Sequence, residues 1–352
     1  MNKYISTSIL VILLLGIYTY TDISLDTFIS TDSLTGATIG TQNSDSKITN
    51  TIASEGLSDF QVLFCPRDDC EDVFIQFIND AQSTLHCALY DVGLESIQNA
   101  LKEKSKTIEV QVVTDDHYYD KFVESFVTHD ASGHMHNKFC IKDNRSVITG
   151  SMNPTNNGVN KNNNNLLIIN SEQLATNFEL EFQELWQGIF KKGEANALEL
   201  TLQDNNQNTI VIENYFCPDD ECAKIVESEI DQAQSSIYFM TFSFTHEGIA
   251  NSILIKNEEG IEVSGVFEKR LNSKYSKFHV MEHQELDVKL DGNDNSMHHK
   301  VFIIDNRTVI TGSMNPSNNG VNRNDETLLI IHSEDIAQKY INEFNFVWAA
   351  AE

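Results

Sequence analysis

Short apolar runs and amphipathic stretches alternate along residues 60–350. Residues 62–64, 85–90 and 108–113 read as strands, with helices predicted near 70–82 and 94–103 between them. Residues 138–141 and 147–149 form a predicted strand pair that turns at Asp143-Asn144-Arg145, and 166–169 is a further strand. Ser171 then caps a helix whose apolar positions are Leu174, Phe178, Phe182, Leu185 and Trp186. The same succession returns later, with Ser333 as the cap and Ile336, Tyr340, Ile341, Phe344, Phe346 and Val347 as buried positions. Two rounds of alternating strands and helices predict an α/β fold of two α-β-α sandwich halves packed together.

The halves are a sequence repeat. Ala81-Gln82-Ser83-Thr84-Leu85 answers Ala233-Gln234-Ser235-Ser236-Ile237. The first half is expected over 59–190 and the second over 209–352, joined by a connector at 191–208 containing Asp204-Asn205-Asn206-Gln207-Asn208. The second half is longer by an insertion placed between Lys269 and Asn295. Residues 24–58, rich in Ser, Thr and Asp, read as a linker. Residues 1–23 read as a signal peptide or N-terminal membrane anchor. Lys3 precedes an apolar run from Ile9 to Tyr18, which is short for a membrane span, and Thr19-Tyr20-Thr21 is a poor cleavage site. Either way the catalytic part is expected outside the cytoplasm.

Cysteine usage agrees with export. Cys65 and Cys70 are matched by Cys217 and Cys222, each pair enclosing four residues. Two short disulfide loops are expected, with a four-cysteine zinc site as the alternative, although its ligands would be more widely spaced than usual. Cys87 and Cys140 lie in strand-like runs and read as buried thiols. The net charge of −28 denies the chain any global attraction for a polyanion, which counts against tight non-specific nucleic-acid binding.

The chemistry lies in a motif stated twice. His136-Asn137-Lys138 with Asp143 and His298-His299-Lys300 with Asp305 are both His-x-Lys-x4-Asp, and each is followed at the same distance by Gly-Ser-Met-Asn-Pro, at 150–154 and 312–316. Two imidazoles, two ammonium groups and two amides suit a site that cleaves a phosphodiester. Lys138 and Lys300 would neutralise the non-bridging oxygens. Asn153 and Asn315 would donate amide hydrogens to them, and Ser151 and Ser313 would add hydroxyl contacts. His134 and His299 read as flanking surface or pocket-rim residues rather than metal ligands, because the two lysines would repel a cation.

The doubled motif resembles the phospholipase D superfamily, and the resemblance covers nearly all of residues 60–350. It implies two halves related by a pseudo-twofold axis with both motifs at the seam, no metal and no cofactor, and no obligate protein partner. It also implies that one histidine attacks phosphorus to form a phosphohistidine while the other protonates the leaving alcohol. Asp143 and Asp305 would be structural. The family usually places the nucleophile in the first copy, and holds each His ring with an acidic residue downstream. Here Glu326 follows His298 by 28 residues, whereas the matching position after His136 is Asn164. A carboxylate favours the protonated ring, so this spacing makes His298 the expected acid and His136 the nucleophile.

The motif fixes the bond but not the molecule. A phospholipid at a membrane surface is the favoured substrate, with apolar Leu271, Tyr275 and Phe278 of the insertion available to touch it. An exported endonuclease is the alternative, drawing on Lys269, Arg270, Lys274 and Lys277 of the same segment. A phosphatidyltransferase such as a cardiolipin synthase is a third reading.

Overall fold

The computed structural model describes residues 60–131 and 134–352, so the expected targeting segment and linker lie outside the described residues. The first half runs β1 (Phe60–Cys65), α1 (Cys70–Asn79), β2 (Thr84–Leu89), α2 (Glu95–Lys104), β3 (Glu109–Thr114), β4 (Val127–His129), β5 (Lys138–Lys142), β6 (Ser146–Gly150), α3 (Asn156–Asn160), β7 (Asn164–Asn170) and α4 (Glu172–Trp186). After β8 (Leu198–Gln203) the second half repeats it. It runs β9 (Thr209–Cys217), α5 (Cys222–Asp231), β10 (Ser236–Thr241), α6 (Glu247–Glu258), β11 (Glu262–Phe267), α7 (Phe278–His283), β12 (Asp287–Leu290), β13 (Lys300–Ile304), β14 (Thr308–Gly312), α8 (Asn318–Asn322), β15 (Glu326–His332) and α9 (Glu334–Ala350).

The strand orders are β1-β7-β6-β5-β2-β3-β4 and β12-β11-β10-β13-β14-β15-β9-β8, so the second sheet reproduces the first and adds β8 at its edge. This is the two-half α/β architecture that the repeat predicts. Helices α1 and α2 cover the outer face of the first sheet around Phe74, Phe77 and Leu101, and α5 and α6 do the same for the second around Val226, Ile230 and Ile253. The inner faces share one apolar cluster with α4 and α9, in which Phe139 and Phe178 meet Phe216, Val301 and Tyr340. Ser171 and Ser333 cap α4 and α9 by accepting from Leu174 N and Ile336 N.

Four readings of the sequence are corrected. Residues 198–203 of the connector are a strand, because Leu198, Leu200 and Leu202 alternate with exposed positions and bury their side chains in the central cluster. Phe346 is half exposed, its ring lying 3.8 Å beneath the Arg67 guanidinium. Phe278 is buried against Phe267 rather than free to meet a substrate. Finally, Cys87 and Cys140 are not thiols but a third disulfide beside Cys65–Cys70 and Cys217–Cys222. Antiparallel pairing of β2 with β5 sets Cys87 directly opposite Cys140. Among the described residues no helix is long and apolar enough to cross a membrane. Three disulfides suit an oxidising compartment.

Candidate active site

Each motif histidine precedes a central strand, His136 before β5 and His298 before β13. The two are stitched to the opposite half by reciprocal backbone pairs. His136 N donates to Asp325 O at 3.0 Å and Asp325 N to His134 O at 3.1 Å. In the mirrored pair, His298 N donates to Asn163 O at 2.8 Å and Asn163 N to Ser296 O at 2.9 Å. Residues 325 and 163 immediately precede Glu326 and Asn164, so the chain crossing that joins the halves also carries each ring's partner across the seam.

The partners are therefore exchanged relative to the sequence expectation. Glu326 Oε2 lies 2.7 Å from His136 Nδ1, and Asn164 Oδ1 lies 2.8 Å from His298 Nδ1. Counting along one copy assigns Glu326 to His298; the crossover assigns it to His136. Glu326 is fully buried, and it accepts from Ser313 Oγ at 2.6 Å and Asn324 Nδ2 at 2.9 Å. Ser151 Oγ likewise donates to Asn164 Oδ1 at 3.0 Å. Ser151 and Ser313, expected on the phosphate, are thus wholly buried and committed to bracing the two ring partners.

Lys138 Nζ donates to His136 O at 2.6 Å, and Lys300 Nζ to His298 O at 2.9 Å. Lys300 Nζ also lies 3.2 Å from His298 Nε2. An aromatic ring backs each pair. Tyr90 packs 4.6 Å from His136 with Lys138 Nζ over its face, and Phe242 packs 4.5 Å from His298 with Lys300 Nζ over its face. These rings carry no motif signature, and only their place after β2 and β10 marks them. Asn153 and Asn315 follow the motif glycines, half-buried, with Oδ1 atoms that have no partner among the described residues. Gly150 and Gly312 have φ of 139° and 135°, and a Cβ there would meet Asn165 O or Thr327 O at 2.4 and 2.2 Å, so these turns require glycine.

Asp143 and Asp305 sit at the far ends of β5 and β13. Asp143 accepts from Gln82 N, Ser83 N, Ser83 Oγ and Thr84 N, and Asp305 from Gln234 N, Ser235 N, Ser235 Oγ and Ser236 N. Partial burial opposes ionisation of both, but the ring of N–H donors outweighs it and holds both carboxyls below their usual range. His134 is a rim residue with φ of 102°, whereas His299 is wholly buried, 3.0 Å from Glu343 Oε1, and belongs to the core rather than the rim.

Burial dominates the electrostatics. It lowers both motif histidines well below the usual value, and the neighbouring lysines lower them further. Burial also brings Lys138 down to about 7, against the pull of Glu326, and pushes Glu326 up to about 7. Lys300 is lowered by burial and then by Lys138. The seam thus holds two neutral rings, each with Nδ1 occupied, and two lysine amines whose positive charge burial weakens and a bound anion would reinforce.

Two such halves, each contributing one His-x-Lys motif to a shared seam, define a class of protein by architecture. The chain matches the family described as "Cardiolipin synthase, PLD-like domain" over residues 74–186 and 226–348, once per half, and it belongs to the phospholipase D superfamily. It is 31% identical to a "Phospholipase D" of Rickettsia conorii over 130 residues, which are 37% of this chain and 65% of that protein. It is 26% identical to the "Mitochondrial cardiolipin hydrolase" of Homo sapiens over 33% of this chain and 46% of that one. The chain thus spans less than two thirds of the length of these relatives. A crystal structure of phosphatidylserine synthase from Haemophilus influenzae Rd KW20 shares the fold, with a TM-score of 0.63, 13% identity, and 83% and 87% of the two chains covered.

Proposed function

We propose that this protein is an exported phospholipase D-type hydrolase that cleaves a phospholipid headgroup ester through a phosphohistidine on His136. The observation that carries the chemistry is the crossed pairing of Glu326 with His136 and Asn164 with His298. Attack by His136 Nε2 on phosphorus makes the ring cationic, and buried Glu326 is placed to stabilise that cation through Nδ1–H. His298 has only a neutral amide and would hold such an intermediate less well. The division of labour read from the sequence is kept, but for the opposite reason. His298 then protonates the leaving oxygen, the P–O electron pair staying with that oxygen, and afterwards takes a proton from the water that attacks the phosphohistidine. Lys138, Lys300, Asn153 and Asn315 hold the phosphoryl oxygens.

The rim supports lipid over nucleic acid. Leu271 and Tyr275 of the insertion are exposed beside the His298 side, tied to it through Arg270 and Ser296. Meanwhile Lys269 is paired with Glu352, and Arg270 donates to Asp294 O, so two of the four cations that a nucleic-acid patch would use are engaged. The test is to present the full-length chain with phospholipid vesicles and with single-stranded DNA in parallel, with EDTA in both. Release of headgroup with the DNA intact is expected. DNA cleavage without lipid hydrolysis would establish the nuclease reading instead.

A pH effect follows from Lys138. In the empty site its charge is lost as pH rises through about 7, so kcat/KM falls above that pH. A bound phosphodiester anion restores the charge, so kcat holds to higher pH than kcat/KM does. Parallel alkaline limbs in the two profiles would contradict this.

A further inference from the structure

We propose that Asn164 keeps His298 uncharged in the empty site, so that the general acid is armed only when a phosphodiester anion binds. This rests on the reading of His298 as the acid. The Asn164 amide is wholly buried and can face the ring in one orientation only. Its Nδ2 donates to Gly158 O at 2.9 Å, and its Oδ1 accepts from Ser151 Oγ at 3.0 Å. The atom it turns to His298 Nδ1, at 2.8 Å, is therefore the oxygen, and Nδ1 must carry hydrogen. At the other ring nitrogen, Lys300 Nζ lies 3.2 Å from Nε2. An amine is more basic than an imidazole, so the hydrogen between them sits on Nζ and Nε2 offers a lone pair.

The basic groups around it oppose a second proton on this ring. Lys138 and His136 act from the first half, and Lys300 and His299 from the second. Glu268 acts on Lys300, and Glu326, the buried carboxylate of the site, is bonded to His136. The first half is wired differently, since Lys138 Nζ is directed to His136 O. When an anionic phosphodiester enters, its oxygens draw Lys300 away from Nε2 and supply the missing negative charge. Nε2 then takes one proton from solvent. That proton passes to the leaving oxygen as the P–O bond breaks, and His298 returns to neutrality, ready to deprotonate water.

Proton uptake reads this directly. Diethyl phosphate, a diester anion that does not titrate near neutrality, is bound to the full-length protein in calorimetry at pH 8 in buffers of different ionisation enthalpy. His298 gains a proton on binding in the wild type, beside whatever the two buried lysines gain in either protein, so Asn164→Asp, which preloads His298, is expected to take up about one proton fewer than the wild type. The alkaline slope of log kcat/KM correspondingly eases by about one in Asn164→Asp. Asn164→Ala, by contrast, loses rate without that change in slope. On the wild type alone, the 15N resonance of His298 Nε2 is expected to be of the lone-pair type without ligand and of the N–H type with it. Equal uptake in wild type and Asn164→Asp, or an N–H-type resonance in the empty protein, overturns the proposal. Failure of the acid assignment is separate. It appears as a His298 variant indifferent to leaving-group basicity, whatever the uptake result.

Discussion

Replacing His136 with alanine is expected to abolish turnover together with any covalent phosphoryl adduct, while replacing His298 with asparagine leaves an adduct that forms and persists. The two rings look alike in sequence, and both are buried beside two lysines, so a loss of activity in each variant would separate nothing. What separates them is the bond each one handles. In the proposed mechanism His136 makes the P–N bond, and without it no intermediate forms with any substrate. His298 is proposed to supply a proton to the leaving oxygen, and a positioned acid of this kind is worth about 10²- to 10⁴-fold. That loss should fall on esters with a basic, alkyl leaving group and nearly vanish with p-nitrophenolate, which leaves unaided. The same variant lacks the base for hydrolysis, so acid quenching and peptide mass analysis should find the adduct on the peptide carrying His136. An adduct on His298 in the His136→Ala protein would reverse the assignment.

The α/β repeat was legible because its signals are local. The strand periods, the serine caps on α4 and α9, and the short cysteine loops each need only a few neighbouring residues. The two His-x-Lys motifs were legible for the same reason. What counting could not reach were the contacts made across the seam. Glu326 follows His298 in the chain yet serves His136, because β7 and β15 each begin at the crossing and hand their first side chain to the other half. Cys87 and Cys140 are 53 residues apart and meet only once β2 and β5 are paired in register. The place of Ser151 and Ser313 beside the motif asparagines points toward a phosphate, but burial commits their hydroxyls to Asn164 and Glu326. The alternation of Leu198, Leu200 and Leu202 is a strand signal, but it is short and adjoins the polar run at 204–208, which reads as a connector.

Unequal copies also set the second large effect, which falls on stability. Glu181 of α4 and Glu343 of α9 occupy equivalent places, and both are buried. Burial favours the neutral form of each, but their neighbours differ. Glu343 is bonded to His299 and to Arg67 from the first half, and these hold its carboxyl below the usual range. Glu181 faces Asp325, Glu184, Asp219 and Asp220, which join burial in pushing its carboxyl well above it. Glu343 is thus held as an anion tying the halves together, while Glu181 is pushed toward the neutral acid. Glu343→Gln leaves a buried imidazole and a guanidinium without their anion, and about 3 kcal/mol is expected, the lower end for a broken buried pair because Arg67 reaches water. Glu181→Gln replaces one neutral hydrogen-bonding group with another of the same shape and should stay within about 1 kcal/mol. Urea unfolding of the two variants at pH 7 measures the difference. Equal losses would mean that the two carboxyls carry the same charge, and that the halves are held together without this ion pair.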